Sequence, residues 1–130
     1  MTVLADTSVW VSYLRAGSQG PAAELDRLLV SQEVVLCGPV VAELLAGVRG
    51  PQRTELGALL SSLPWAELGR AQWHEVGELA GELRERGETV PLTDLVIAVA
   101  AASVGARLWS WDSDFERVGR ALPQLLRYVP

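Results

Sequence analysis

Short apolar runs alternate with longer helical patterns along this chain, and that alternation most narrows the folds open to it. Val3-Leu4-Ala5, Val34-Val35-Leu36-Cys37, Trp65-Ala66-Glu67-Leu68, Leu108-Trp109-Ser110-Trp111 and Leu126 to Val129 read as strands. The run Val34 to Cys37 is apolar without alternation and is closed by Gly38-Pro39, as expected of a strand covered on both faces. Between the runs lie amphipathic helices. Pro21 to Ser31 carries Leu25, Leu28 and Leu29 on one stripe, and a second helix opens at Pro39 and carries Val40, Val41, Leu44, Leu45 and Val48 before Gly50-Pro51. Further helices are predicted over Gln52 to Ser62, from about Arg70 to Arg86, and from Phe115 to Leu122, while Ser12 to Gly20 is turn-rich and reads as the loop after a short helix. Strands alternating with helices predict an α/β fold, a mostly parallel sheet of about five strands sandwiched by helices.

Asp94 to Val104 is apolar nearly all round and marks a central helix buried on more than one side, with Thr93 as its N-cap. The Arg70 helix turns Trp73, Val76, Leu79, Ala80 and Leu83 inward and Glu75, Glu78, Glu82 and Glu85 outward. Trp10, Trp65, Trp73 and Trp109 are assigned to packing, Trp111 to packing in a buried strand or, as the alternative, to stacking a base near the site, Cys37 to a strand interior and His74 to an exposed helix face. A length of 130 residues suits a single domain spanning residues 1–130.

Composition excludes several classes of function. Sixteen acidic side chains against 11 basic ones leave a net charge of -5, which is wrong for a protein that holds duplex nucleic acid by a broad basic face. Every cation is arginine, so P-loop ATPases, Schiff-base enzymes and phosphoacceptor receivers, all of which use a lysine amine, do not fit. A single cysteine forbids an intrachain disulfide, and one histidine leaves Cys/His zinc sites without ligands. No cationic segment precedes an apolar stretch before Asp6, and Leu95 to Ala102 is far shorter than the roughly 20 residues needed to span a bilayer. The expectation is a soluble, cytoplasmic protein without a membrane role.

The acids carry the functional signal. Asp6 and Asp112 each follow a strand, Glu43 lies in the first turns of the helix after Val34 to Cys37, and Asp94 lies in the first turn of the buried helix. In a parallel α/β sheet the carboxyl ends of strands and the amino ends of the following helices share one edge, where these four carboxylates can meet. Together in an apolar-walled crevice they repel, and a cation must relieve them; hard oxygen ligands without histidine select Mg²⁺ or Mn²⁺ over zinc. Each acid alone has a plainer explanation. Asp6 is placed to cap a helix starting at Val9, Asp94 is favoured by the helix dipole, and either Asp112 or Asp114 can cap the helix near Phe115. Glu43 stands between Val40-Val41 and Leu44-Leu45, where a buried face is expected and an unpaired charge is costly.

Asp6-Thr7-Ser8-Val9-Trp10, Ala42-Glu43-Leu44-Leu45-Ala46-Gly47, Thr93-Asp94-Leu95-Val96-Ile97-Ala98 and Trp111-Asp112-Ser113-Asp114-Phe115 follow one another in the order of the four signature segments of PIN-domain ribonucleases. The resemblance is closest to VapC-type toxins of prokaryotic toxin–antitoxin pairs and extends over nearly the whole chain. It implies a PIN-like three-layer α/β/α sandwich and a metal-dependent endoribonuclease in which Asp6, Glu43, Asp94 and Asp112 hold one or two Mg²⁺ or Mn²⁺ ions. Ser8 would help through its hydroxyl and Asp114 would support the set. It also implies an RNA substrate, a homodimer, and a cognate VapB-type antitoxin whose C-terminal segment blocks the crevice; Leu28, Leu29, Leu59 and Leu60 are candidates for a groove that receives it, and a plain core explains them equally. Arg15, Arg49 and Arg117 lie nearest in sequence to the site segments, as phosphate contacts or as solvated helix ends. One departure stands out: Ser110 occupies a position where the family commonly has threonine, which keeps the hydroxyl and loses a methyl.

Two rivals are weaker. An aspartyl-phosphate phosphatase would use Asp6 as nucleophile, but has Ser8 where a second aspartate belongs and no lysine downstream. A catalytically inactive PIN-like RNA- or protein-binding module would keep four mutually repelling acids at a cost to stability with no use for them.

Overall fold

β1 (Val3–Ala5) is the strand from which the sheet is built. In the computed structural model, which describes residues 1–130, it pairs in parallel with β2 (Arg107–Trp109), matching Leu4 to Leu108 and Ala5 to Trp109. β2 in turn pairs in parallel with β3 (Leu126–Arg127), matching Leu108 to Arg127. On the other side of β1 the sheet continues only as isolated parallel bridges, Val3 with Val34 and Leu36 with Trp65. The expected sheet of about five strands is therefore a three-stranded ladder with two bridged neighbours. The chemistry explains the shortfall. Cys37 leads at once into a helix at Gly38-Pro39, and Pro64 has no N–H to extend the pairing, although its carbonyl still accepts the Leu36 N–H at 2.9 Å.

Seven α-helices surround this sheet in a three-layer α/β/α arrangement: α1 (Thr7–Ala16), α2 (Glu24–Val30), α3 (Gly38–Ala46), α4 (Pro51–Ser61), α5 (Arg70–Glu85), α6 (Leu92–Ser103) and α7 (Asp114–Ala121). α6 is buried at every residue from Leu95 to Ala101, as its all-round apolar character requires, and it packs against α5, α3, α7 and β2. It begins earlier than predicted. The Pro91 carbonyl accepts the Asp94 and Leu95 N–H groups, so Thr93 lies inside the first turn and is not the cap. No helix is long and apolar enough to cross a membrane.

Two boundaries at the amino-terminal end differ from expectation. α1 runs through Ala16 where a loop was expected from Ser12, because Asp6 caps it and nothing interrupts it before Gly17, whose φ of 54° suits glycine. α2 starts only at Glu24. Pro21 to Ala23 are spent in a tight turn in which the Ala23 N–H donates to the Gly20 carbonyl at 3.1 Å.

Trp10 and Trp109 are fully buried, and Cys37 is buried as expected, with its thiol pushed up to about 11 chiefly by desolvation. The other tryptophans correct the packing assignment. Trp65, Trp73 and Trp111 are 42%, 53% and 50% exposed, since Trp73 stands at the amino end of α5, ahead of the buried stripe that starts at Val76, and Trp111 lies past the end of β2. His74 is exposed. Of the four leucines considered for a groove, Leu28 and Leu60 belong to the core, Leu29 is half-buried and Leu59 is exposed.

Leu4 lies at 0% exposure in the strand flanked on both sides. Leu4→Ala is expected to destabilise the protein by about 2–5 kcal/mol in denaturant titrations, whereas Val30→Ala, at a position 80% exposed, is expected to stay within about 0.5 kcal/mol. Equal effects at the two positions would contradict this placement of the core.

Candidate active site

The carboxyl end of β1 delivers Asp6 into a buried position, 6% exposed, with its N–H still in the ladder through a 2.9 Å bond to the Trp109 carbonyl. A carboxylate this far from water needs donors, and it has them. Oδ1 accepts the Val9 N–H at 3.2 Å and the Ser8 hydroxyl at 2.7 Å, while Oδ2 accepts the Ser110 hydroxyl. Asp6 therefore both caps α1 and faces the crevice; the two explanations were never exclusive.

Ser110 couples two acidic segments. Its buried hydroxyl donates to Asp6 and accepts the Asp112 N–H at 3.0 Å, and Asp112 Oδ1 then accepts the Asp114 N–H at 2.9 Å. β2 stops at Trp109 and does not continue through Trp111, and the next residue, Ser110, turns its side chain to the carboxylates instead of extending the ladder. Asp112 caps the turn into α7, and Asp114 is left to pair with Arg117. Arg117 is thus an ion-pair partner within the site region, while Arg15 and Arg49 are exposed and make no ion pair.

Asp6, Ser8, Glu43, Asp94 and Asp112 line one crevice of about 400 Å³, together with Thr7, Ile97 and Trp111. The structure thus brings all four predicted acids and Ser8 to one place. It groups them unequally. Carboxylate oxygens of Asp94, Asp112 and Asp114 all lie within 4.8 Å of one another, so Asp114, expected only to support the set, is in the tightest cluster, while Asp6 and Glu43 line the crevice. Glu43 also departs from expectation. It is exposed rather than buried, and the Thr7 hydroxyl donates to its Oε1 at 2.8 Å across the crevice. Thr7 belongs to the quoted segment Asp6 to Trp10 but carried no expected role, although a hydroxyl beside a strand-end aspartate is the available signal.

The electrostatic strain is concentrated on Asp94. Its carboxyl is pushed up from 3.8 to about 6, first by burial and then by repulsion from Asp112, Asp114, Asp6 and Glu43. An acid in the first turn of a helix would ordinarily be favoured by the dipole, so the neighbours override the local preference. Carboxylates alone make up the donor set, with neither His74 nor Cys37 among the lining residues. Such a set fits a hard divalent cation.

Residues 3–121 match the family described as PIN domain. The chain belongs to the PIN-domain family. This PIN domain is 33% identical over 123 residues to the VapC ribonuclease Mb1587 of Mycobacterium bovis, an alignment covering 91% of this chain and 92% of that protein. Identity and coverage are the same for ribonuclease VapC11 of Mycobacterium tuberculosis. Among solved structures, its fold matches VapBC2 of Rickettsia felis bound to a promoter DNA fragment, with a TM-score of 0.77 and 24% identity over 98% of both chains. VapBC-1 of nontypeable Haemophilus influenzae matches with a TM-score of 0.74 and 21% identity over 98% of this PIN domain and 97% of that chain.

The raised Asp94 carboxyl has a signed consequence for the metal-free protein. From about 4 to about 6 the folded state binds more protons at Asp94 than the unfolded state does, so stability falls as pH rises through that window. Asp94→Asn removes this dependence. In thermal melts with chelator present, the stabilisation of Asp94→Asn over wild type should grow from about pH 4 to about pH 6 and then level off. A difference independent of pH would contradict the crowding of carboxylates at Asp94.

Proposed function

We propose that this PIN domain, acting as one unit over residues 1–130, is a metal-dependent endoribonuclease and the toxin of a toxin–antitoxin pair. The observation that carries the reading is the 33% identity over 91% of the chain to a VapC ribonuclease, together with a crevice lined by Asp6, Glu43, Asp94 and Asp112. The named relatives favour the nuclease over an inactive binding module. Asp6, Glu43, Asp94 and Asp112 would hold one or two Mg²⁺ or Mn²⁺ ions, with Asp114 near enough to Asp94 and Asp112 to share the load. When bound, a divalent ion lowers the pKa of water and stabilises charge on a phosphodiester under attack.

The chain's own residues prepare that site. Ser8 and Ser110 orient the two oxygens of Asp6, Thr7 orients Glu43, and Ser110 also fixes the Asp112 backbone. Ile97 closes part of the wall with apolar surface, which lowers the local dielectric and strengthens every charge interaction inside. Trp111, half-exposed on the same wall, offers a ring face on which a base can stack. With a net charge of -5 and no lysine, affinity for RNA depends on cations in the crevice and on single arginines, not on a basic surface.

The partner proposed is a cognate VapB-type antitoxin, in keeping with the VapBC complexes that share the fold, and the toxin is proposed to form a homodimer in the cytoplasm. A cavity lined by Leu29, Val34, Leu59 and Leu63 between α2 and α4 is a candidate seat for an apolar segment of the antitoxin.

RNA cleavage by the purified protein should require Mn²⁺ or Mg²⁺, stop with EDTA, and fall by roughly two orders of magnitude or more in Asp94→Asn prepared identically. Cleavage that survives both chelation and Asp94→Asn would overturn the proposal.

A further inference from the structure

Ser110 lies just past the end of β2, so its carbonyl has left the ladder that holds Arg107 to Trp109. Arg127 takes over that role. Its Nη2 donates to the Ser110 carbonyl at 3.2 Å from the neighbouring strand β3, which is aligned by the Leu108–Arg127 match and by the Tyr128 N–H on the Leu108 carbonyl at 2.9 Å. The guanidinium also lies over the Phe115 ring, with Cζ 5.9 Å from its centroid.

This placement is costly. Arg127 forms no ion pair, and its Nε is buried without a partner, although the long side chain of a residue on an edge strand could reach water. Arg117, by contrast, satisfies its charge directly on Asp114. The carbonyl that Arg127 grips belongs to the residue whose hydroxyl joins Asp6 to Asp112. Holding that carbonyl fixes the peptide leading into Trp111 and Asp112, and with it the hydroxyl between the two acids.

We propose that Arg127, beyond the residues 3–121 that match the family, is a positioning residue that clamps Ser110 and thereby sets Asp112 relative to Asp6. The inference rests on the proposed metal site for its consequence, but its primary observable does not need metal. In metal-free protein, Arg127→Met should speed hydrogen exchange of the Asp112 amide at least about tenfold, while the Asp6 amide, held by Trp109 in the ladder, keeps its wild-type rate. By calorimetry, Mn²⁺ should bind about tenfold more weakly, as when the support behind a ligand is removed. Arg127→Met in a Ser110→Ala background should add little, because both changes break one linkage.

Unchanged Asp112 exchange in Arg127→Met would overturn the inference, as would equal acceleration at Asp6 and Asp112, which signals general loosening of the sheet. Strictly additive effects in the double variant would overturn it as well. If Arg127→Met does not fold, Arg127→Gln is read by the same criteria. Wild-type protein that binds no Mn²⁺ would defeat the ribonuclease reading and leave the exchange result to decide the role of Arg127.

Discussion

The carboxylate of Asp6 is withdrawn from water at the carboxyl end of the central strand, and the surrounding structure is organised around satisfying it. Its backbone belongs to the sheet, its Oδ1 terminates the first turn of α1, and its Oδ2 draws the Ser110 hydroxyl in from the end of β2. Two segments 104 residues apart in sequence are joined at one side chain. A buried carboxylate without such donors would be costly, and the start of α1 and the turn after β2 both supply them.

Around that satisfied acid stand acids that are not satisfied. Asp94 has no hydrogen-bond donor to offset its burial and carries the repulsion of the other carboxylates, while Asp112, Asp114 and Glu43 each hold a single donor or partner. Folding of the core, with α6 buried from Leu95 to Ala101, brings the charges together against their preference. An arrangement of this kind suits a small, hard cation, and the proposed nuclease would draw its chemistry from one. On that proposal an acidic protein can act on a polyanion, because the attraction would come from a cation held in the crevice and not from a basic surface.

Much of this was legible in the residues. Apolar runs located β1 and β2 and the buried helix α6, and the spacing of acids against strand ends and helix starts singled out the carboxylates that line the crevice. What escaped has physical causes. Val34 to Cys37 and Trp65 to Leu68 have strand-like composition, but whether a run extends its ladder depends on where Pro39 and Pro64 force the backbone to turn. Amphipathic spacing put Trp73 on the inward stripe, yet a stripe does not say where the core beneath it ends. Glu43 was judged by its apolar neighbours in sequence, while its exposure and its contact with Thr7 depend on how α3 meets α1. Asp114 joins Asp94 only because α6 and α7 pack together, a long-range contact that local pattern does not carry.

The central claim is that the crevice is built to hold a divalent cation. Anomalous diffraction from crystals soaked in Mn²⁺ tests it most directly. The account predicts a peak inside the crevice, about 2.0–2.3 Å from oxygens of Asp94 and Asp112. Well-diffracting crystals at millimolar Mn²⁺ with no peak among Asp6, Glu43, Asp94 and Asp112, or with manganese bound only elsewhere on the surface, would contradict it.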